Sequence, residues 1–131
     1  MIGDRAPSSP PASASPLSLT AKQILFERLS SRLVLDAKDA GIEVLCFRFI
    51  STLAEDLDHF LNGRSQIDPR LKKTAHMNRL AKDFAVVVDG VLLWDRSSAY
   101  EKLGELAEAL GLTWGGRWTS LNDIYHVEFR G

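Results

Sequence analysis

Two histidines and an aspartate in the second half of the chain are residue types that bind catalytic metal ions. His76 follows a polar loop, Asp83 comes seven residues later, and His126 lies in the last apolar segment. Catalytic zinc sites use three protein ligands of N or O type and leave the fourth position for water. Zinc lowers the pKa of that water to about 7, which supplies a nucleophile at neutral pH. The spacing alone also fits a hydrogen-bonded histidine and an aspartate at the end of a strand.

The neighbours of Asp83 favour the metal interpretation. This residue stands within the run LAKDFAVVV, which is mostly apolar. A carboxylate in such surroundings costs several kcal/mol unless a cation or several hydrogen-bond donors compensate it. The third histidine of the chain, His59, lies beside Phe60 in a helical pattern, where a surface or half-buried histidine is the ordinary interpretation. We therefore leave His59 out of the candidate site.

The composition is that of one globular domain. The chain has 131 residues and a net charge of −1, so a nucleic acid is not indicated as a partner. Residues 1–17 hold four of the five prolines and predict a flexible tail, which leaves 18–131 as the domain. The single cysteine, Cys46, is interpreted as a small buried hydrophobe. No apolar segment reaches the ~20 residues of a membrane helix, and the N-terminus lacks a secretory pattern, so we expect a soluble, monomeric product made in the cytoplasm.

The first helix and strand have clear local signals. Thr20 with Gln23 forms a capping-box pattern, and the helix it predicts runs to Ala40, where Gly41 ends it. Residues 42–49, IEVLCFRF, are β-branched and aromatic and predict a buried strand.

The later elements complete an α+β domain. A second capping box opens a helix over 52–63, and a third helix is predicted over 98–111. Between them, Asp89–Gly90 is a strong hairpin signal joining two strands. A Gly/Trp loop then leads to a short final strand within 124–129. The predicted fold is a small, mainly antiparallel sheet flanked by about three helices.

The motifs that carry the chemistry resemble those of a known family. TAHMNRLAKDF is similar to the S-x-H-x(6)-D signature of the zinc D-alanyl-D-alanine carboxypeptidases and L-alanyl-D-glutamate peptidases, which include phage endolysins. NDIYHVEF resembles the second motif, with an acid three positions before the last histidine ligand. CFRF, NGRS and YEKLGELAEALGLTWGGRW follow in the family's order, so the resemblance covers roughly 19–130. It implies a hedgehog/DD-peptidase-like fold.

The resemblance also implies roles for individual residues. His76, Asp83 and His126 would bind Zn2+. Asp123 would be the general base that takes a proton from the attacking water and delivers it to the departing amine. Arg48 would hold the substrate or its developing oxyanion, since a planar guanidinium suits both tasks.

Glu128 is the alternative to Asp123 as the base. In a regular strand Glu128 would share a face with His126, whereas Asp123 would have the opposite parity. That argument fails if Asp123 lies in a loop before the strand, as the sequence SLND indicates. With the family pattern added, Asp123 is the preferred base, and Glu128 is a partner of the site or a surface charge.

Two positions depart from the family pattern. Thr74 replaces the usual serine, with a hydroxyl that can make the same hydrogen bond, and Arg79 stands where many members have glycine. The residues predicted to contact substrate are Thr74, Trp114 and Trp118, with Gly115–Gly116 letting the backbone approach the ligand.

The sequence therefore predicts a zinc metallopeptidase that hydrolyses an amide bond in bacterial peptidoglycan stem peptides. The expected specificity is L-alanyl-D-glutamate endopeptidase, as in phage endolysins, acting on the cell wall, in the periplasm, after release from the cytoplasm. The alternatives are a D-alanyl-D-alanine carboxypeptidase or dipeptidase, and a non-catalytic zinc-bearing module that binds the wall. Cobalt or manganese could occupy the same ligands.

Overall fold

The structure is a computed structural model that describes residues 17–131. The predicted tail therefore lies outside the described residues, apart from its last position. No helix within 17–131 is long and apolar enough to cross a membrane.

Three helices surround the sheet. Helix α1 spans Leu19–Asp39, α2 spans Leu53–Leu61 and α3 spans Ser98–Ala109. The second begins with the predicted capping box, in which the Thr52 hydroxyl accepts from Glu55 N and the Glu55 carboxylate accepts from Thr52 N. The first begins differently from its prediction, because the cap is Ser18, whose hydroxyl accepts from Ala21 N. The expected Thr20 box is wrong, since an equally good capping residue lies two positions earlier.

Five strands form one antiparallel sheet. They are β1 (Glu43–Arg48), β2 (Ala81–Val88), β3 (Val91–Leu93), β4 (Thr113–Trp114) and β5 (His126–Glu128). The order is β1-β2-β5-β4. Strand β3 pairs with the last three residues of β2, and β5 pairs with the first three. The β2–β3 turn is the predicted hairpin, with positive φ at both Asp89 and Gly90. The α+β prediction is confirmed, although β4 was expected to be loop.

The core lies between one face of the sheet and helices α1 and α3. Phe84 and Val86 of β2 point into it, and Tyr100, Leu103 and Ala107 of α3 meet them. Side chains alternate along a strand, so Asp83 and Ala85 lie on the opposite face of β2. That opposite face carries the candidate site.

Strand β1 is not the buried strand that its composition predicted. It lies at the edge of the sheet, and Leu45 and Phe47 are about half exposed. Cys46 is exposed as well, so its interpretation as a buried hydrophobe is wrong. An apolar run is equally compatible with a strand whose outer face is only partly covered, and the sequence does not distinguish the two.

Candidate metal centre

His76, Asp83 and His126 converge on the face of the sheet away from the core. Asp83 on β2 pairs directly with His126 on β5. Asp83 Oδ1 lies 3.3 Å from both His76 Nε2 and His126 Nδ1. One ligand atom from each residue lies within 4.8 Å of the others, and all three side chains are buried. Side chains from a turn and two paired strands thus meet at one point.

A compact turn before β2 positions His76. Backbone hydrogen bonds from Asn78 to Thr74 and from Leu80 to Ala75 close it, at 3.1 and 2.8 Å. The turn ends at Arg79, whose φ is +58°. This is the left-handed region that favours glycine. The conformation explains why glycine suits this position in the family pattern, and Arg79 adopts it at some cost.

Each histidine is oriented by a hydrogen bond from its other ring nitrogen. His76 Nδ1 lies 2.9 Å from the Phe49 carbonyl oxygen. A carbonyl only accepts, so Nδ1 carries the hydrogen and the Nε2 lone pair faces Asp83. His126 Nε2 lies 2.7 Å from Glu128 Oε1, which leaves Nδ1 facing Asp83. Metal-binding histidines are commonly held in this way by a carbonyl or a carboxylate.

The donor atoms fit a cation. His76 Nε2 and Asp83 Oδ1 are buried and have no hydrogen-bond partner within the described residues. Buried polar atoms are rarely left without a partner, and such exceptions call for an explanation. Two imidazole nitrogens and a carboxylate oxygen facing one another are the donor set of a three-ligand zinc site.

Neighbouring charged groups shift the pKa values of the cluster residues. Burial would raise the pKa of Asp83, but the imidazoles of His126 and His76 outweigh it and hold that pKa well below its usual range. Burial would lower the pKa of His126, but Asp83 and Glu128 raise it to about 9. The charges of Asp83 and Glu128 thus favour a positive charge at the cluster.

Asp123 lies in the loop directly before β5, which removes the parity objection to it. Its Oδ1 accepts from Tyr125 N at 3.1 Å, and its backbone N–H donates to the Gly115 carbonyl at 3.0 Å. Burial raises the pKa of Asp123, and the negative charge of Asp83 raises it further. A carboxylate with a raised pKa is a stronger base, which suits proton transfer near neutral pH.

Glu128 lies buried on β5 and is engaged within the protein. One of its oxygens contacts His126, and the other accepts from Arg130 Nε at 2.7 Å. Burial would raise the pKa of Glu128, but His126 and Arg130 lower it. These contacts make Glu128 a support for His126 and a weaker base than Asp123.

Arg48 ends β1 beside the cluster. Its Nη1 lies 3.6 Å from Asp83 Oδ2, and its Nη2 donates to Asp56 Oδ1 at 2.8 Å. Asp56 is buried and also accepts from the hydroxyls of Ser51 and Thr74. This carboxylate joins β1, α2 and the His76 turn. The sequence alone does not indicate this role, because an acid in the first turn of a helix ordinarily faces solvent.

The three residues predicted to contact substrate lie in different surroundings: one beside the cluster, one in a hydrogen-bond network and one in the core. Trp118 lies beside the cluster, with its ring centroid 5.0 Å from that of His126. The Thr74 hydroxyl donates to Asp56 and accepts from Met77 N, which leaves it no hydrogen for a substrate. Trp114 is 1% exposed, and its indole N–H donates to the Ile124 carbonyl at 2.8 Å. The prediction that Trp114 lines a groove is wrong, because the residue belongs to the core.

The glycines of the WGG sequence have packing reasons. A Cβ on Gly116 would lie 2.2 Å from the Trp114 ring, and one on Gly104 of α3 would lie 2.1 Å from it. A Cβ on Gly115 would lie 2.5 Å from the Asp123 carbonyl oxygen. The indole is thus enclosed by two glycines. Packing within the protein thus accounts for Gly115 and Gly116. The expectation that they let the backbone approach a ligand stays a prediction.

The fold and the cluster together define a class: a small α+β domain with a buried His/Asp/His cluster that could hold a metal ion, beside a loop carboxylate and an arginine. A family model described as D-alanyl-D-alanine carboxypeptidase matches residues 69–129, which include all three cluster residues and Asp123. The part of the chain that holds the cluster, residues 69–129, is therefore similar to this family.

Two curated relatives and one solved structure are similar to the chain. The L-alanyl-D-glutamate peptidase of Listeria phage A118 is 30% identical over 105 residues, covering 78% of this chain and 36% of the phage protein. The peptidoglycan L-alanyl-D-glutamate endopeptidase CwlK of Bacillus subtilis (strain 168) is 28% identical over 106 residues, covering 70% of this chain and 64% of CwlK. The chain thus spans about a third of the phage relative's length and somewhat under two thirds of CwlK.

The crystal structure of the L-Ala D-Glu endopeptidase ChiX of Serratia marcescens superposes with a TM-score of 0.59 at 21% identity. The match covers 82% of this chain and 77% of ChiX. At this identity the likeness concerns the fold, and it agrees with the predicted architecture.

Proposed function

We propose that this chain is a zinc peptidase that hydrolyses the bond between L-alanine and D-glutamate in peptidoglycan stem peptides. One observation carries the proposal: donor atoms of His76, Asp83 and His126 face a single point, and His76 Nε2 and Asp83 Oδ1 have no hydrogen-bond partner within the described residues. The family model matches the region, residues 69–129, that contains all three. The two curated relatives carry names that specify the L-alanyl-D-glutamate bond. The stem peptide is then the partner, and the cell wall is the place of action.

His76 Nε2, Asp83 Oδ1 and His126 Nδ1 would hold the zinc ion. When bound, zinc would polarise the substrate carbonyl and lower the pKa of water at the site. Phe49 and Glu128 would keep the two imidazoles in the required tautomers, because each hydrogen bond engages the nitrogen that faces away from Asp83.

Asp123 would move the proton. Its raised pKa makes its carboxylate able to take a proton from the attacking water and release it to the departing amine. The hydrogen bond from Tyr125 N to Oδ1 fixes the carboxylate's orientation. Asp123 lies in a loop anchored to Gly115, so its position does not depend on the pleat of β5.

Arg48 would bind the substrate carbonyl or its oxyanion. Asp56 holds one amino group of the guanidinium, which fixes the plane of the other donors next to Asp83. A preorganised cation costs little reorganisation when negative charge develops on the substrate. Trp118, beside His126, is the remaining candidate for a substrate contact.

A D-alanyl-D-alanine carboxypeptidase is the second candidate, because the matching family model carries that description. Both reactions use the same cation site, and they differ in which bond of the stem lies over it. The test is mass spectrometry of peptidoglycan fragments after incubation with the zinc-loaded protein, with and without a strong chelator.

Release of stem peptide that begins at D-glutamate, abolished by the chelator, is the expected result. Loss of only terminal D-alanine would select the carboxypeptidase. No cleavage by protein that contains zinc would refute both and favour the wall-binding module. The matched variant is Asp123→Asn, which should retain zinc and lose about 100-fold or more in rate.

A further inference from the structure

Three aromatic rings form a partly exposed surface that the proposed chemistry does not use. Phe47 is 47% exposed and Trp94 is 51% exposed, while Tyr125 is half-buried. The ring centroid of Phe47 lies 5.7 Å from those of both Trp94 and Tyr125, and the latter two are 6.0 Å apart. All three pairs meet at steep angles. We call this group the aromatic surface.

The aromatic surface is continuous with the metal centre. Phe47 directly precedes Arg48, and Tyr125 directly precedes His126. Phe47 lies on β1, whereas Trp94 follows β3 and Tyr125 precedes β5, which both pair with the other edge of β2. The aromatic surface therefore spans β2 near Ala85. That residue is fully buried although it faces away from the core. Ala85 follows Asp83 by two residues on the same face, or about 7 Å along a strand. The surface therefore lies one to two residues along the strands from Arg48, Asp83 and His126.

The rings are held in place before any ligand binds. The Tyr125 hydroxyl donates to the Trp94 carbonyl oxygen, and the Tyr125 ring packs against Tyr100 in the core. Rigid aromatic side chains offer contact area at a low cost in conformational entropy. Exposed apolar groups arranged in this way beside a site are typical of ligand contacts.

The chemistry of the aromatic surface is apolar. The rings contact one another directly, which leaves no space between them for an ammonium group. None of the cation–π contacts among residues 17–131 involves these three rings. The charged groups beside it include Asp95, which directly follows Trp94, and Arg48, which the proposed chemistry uses. Burial raises the pKa of Tyr125, and the negative charge of Asp95 adds to this rise. A substrate carboxylate on the rings would face the negative charge of Asp95.

We propose that Phe47 and Trp94, supported by Tyr125, bind the muramyl sugar to which the stem peptide is attached. This inference rests on the proposed function. With the L-alanyl-D-glutamate bond at the cation site, the amino-terminal side offers an alanine methyl and then an uncharged N-acetylated sugar. The carboxyl-terminal side carries carboxylates and an amine. The apolar surface fits the first side, since a sugar ring presents C–H groups that pack on aromatic faces.

The test compares two substrates that share the same peptide, one with a free amino-terminal alanine and one carrying N-acetylmuramic acid. The wild type should have the higher kcat/KM on the muramyl substrate. Phe47→Ala and Trp94→Ala should reduce the ratio of the two kcat/KM values by about tenfold. The ratio is independent of the fraction of correctly folded enzyme. Leu35→Ala, an exposed position on α1, is the matched control and should leave the ratio unchanged.

The inference would be overturned if the ratio of the two kcat/KM values were the same in the wild type, Phe47→Ala and Trp94→Ala. Cleavage of neither substrate would refute the proposed function instead, and titration with the peptide-free N-acetylglucosaminyl-N-acetylmuramic acid disaccharide then decides the inference. Saturable quenching of tryptophan fluorescence that is lost in Phe47→Ala would support it, and no binding would overturn it. A dimer that Phe47→Ala dissociates would assign the surface to a second copy and would also overturn it.

Discussion

Replacing Asp56 with alanine should lower the free energy of unfolding by about 3–5 kcal/mol. Asp56 does not itself contact the proposed metal ligands, and it bears on the proposed chemistry only by holding Arg48. Its carboxylate is 4% exposed and accepts from Arg48, Ser51 and Thr74. Removing one partner of a buried ion pair costs about 3–5 kcal/mol. The Arg48 side chain is 22% exposed, which favours the lower end of that range. Two hydroxyls lose an acceptor as well, at about 1 kcal/mol each if they remain unpaired.

Urea denaturation of the metal-free protein measures this loss. Asp58→Ala is the matched control, because Asp58 lies in the same helix but is exposed and contacts only Asn62 among the described residues. We expect the control to lie within about 0.5 kcal/mol of the wild type. A similarly small effect of Asp56→Ala would refute the network that connects β1, α2 and the His76 turn. The role of Asp56 in holding Arg48 would fall with it.

Three further outcomes are expected. Gly104→Ala should lower the unfolding free energy by about 3 kcal/mol or prevent folding, because its Cβ would lie 2.1 Å from the Trp114 ring; urea denaturation measures this. Zinc at 1,000 times its Kd should stabilise the wild type by about 4 kcal/mol in the same assay and leave Asp83→Asn nearly unchanged. Glu128→Gln should weaken zinc binding about 10–100-fold in competition with a chromophoric chelator, because it removes the carboxylate that orients His126; unchanged affinity would contradict this.

The sequence was sufficient to predict the elements with local signals. The capping box at Thr52, the Asp89–Gly90 hairpin and the glycine that ends each of the three helices involve residues close in the chain. The identity of the cluster residues came from the spacing of the first motif together with the family resemblance, and the structure brings all three together. Their roles as metal ligands, and those of Asp123 and Arg48 in catalysis, stay predictions.

What the sequence did not predict depends on contacts between distant residues. The burial of Asp56 results from partners on β1 and in the His76 turn, up to 18 residues away. The burial of Trp114 results from two glycines on different elements, which a Trp-Gly-Gly pattern alone does not indicate. Likewise, the aromatic surface joins β1 to segments that follow β3 and precede β5. Such groupings follow from strand order, which local patterns do not determine.

The most direct test of the central claim is the product formed from one synthetic stem pentapeptide, N-acetyl-L-Ala–D-Glu–L-Lys–D-Ala–D-Ala, which offers both candidate bonds to the same enzyme. Zinc-loaded protein should release N-acetyl-L-alanine and the D-Glu-initiated tetrapeptide, and chelated protein should release neither. Release of D-alanine alone would contradict the assigned bond. Equal turnover with and without the chelator would contradict the metal centre itself.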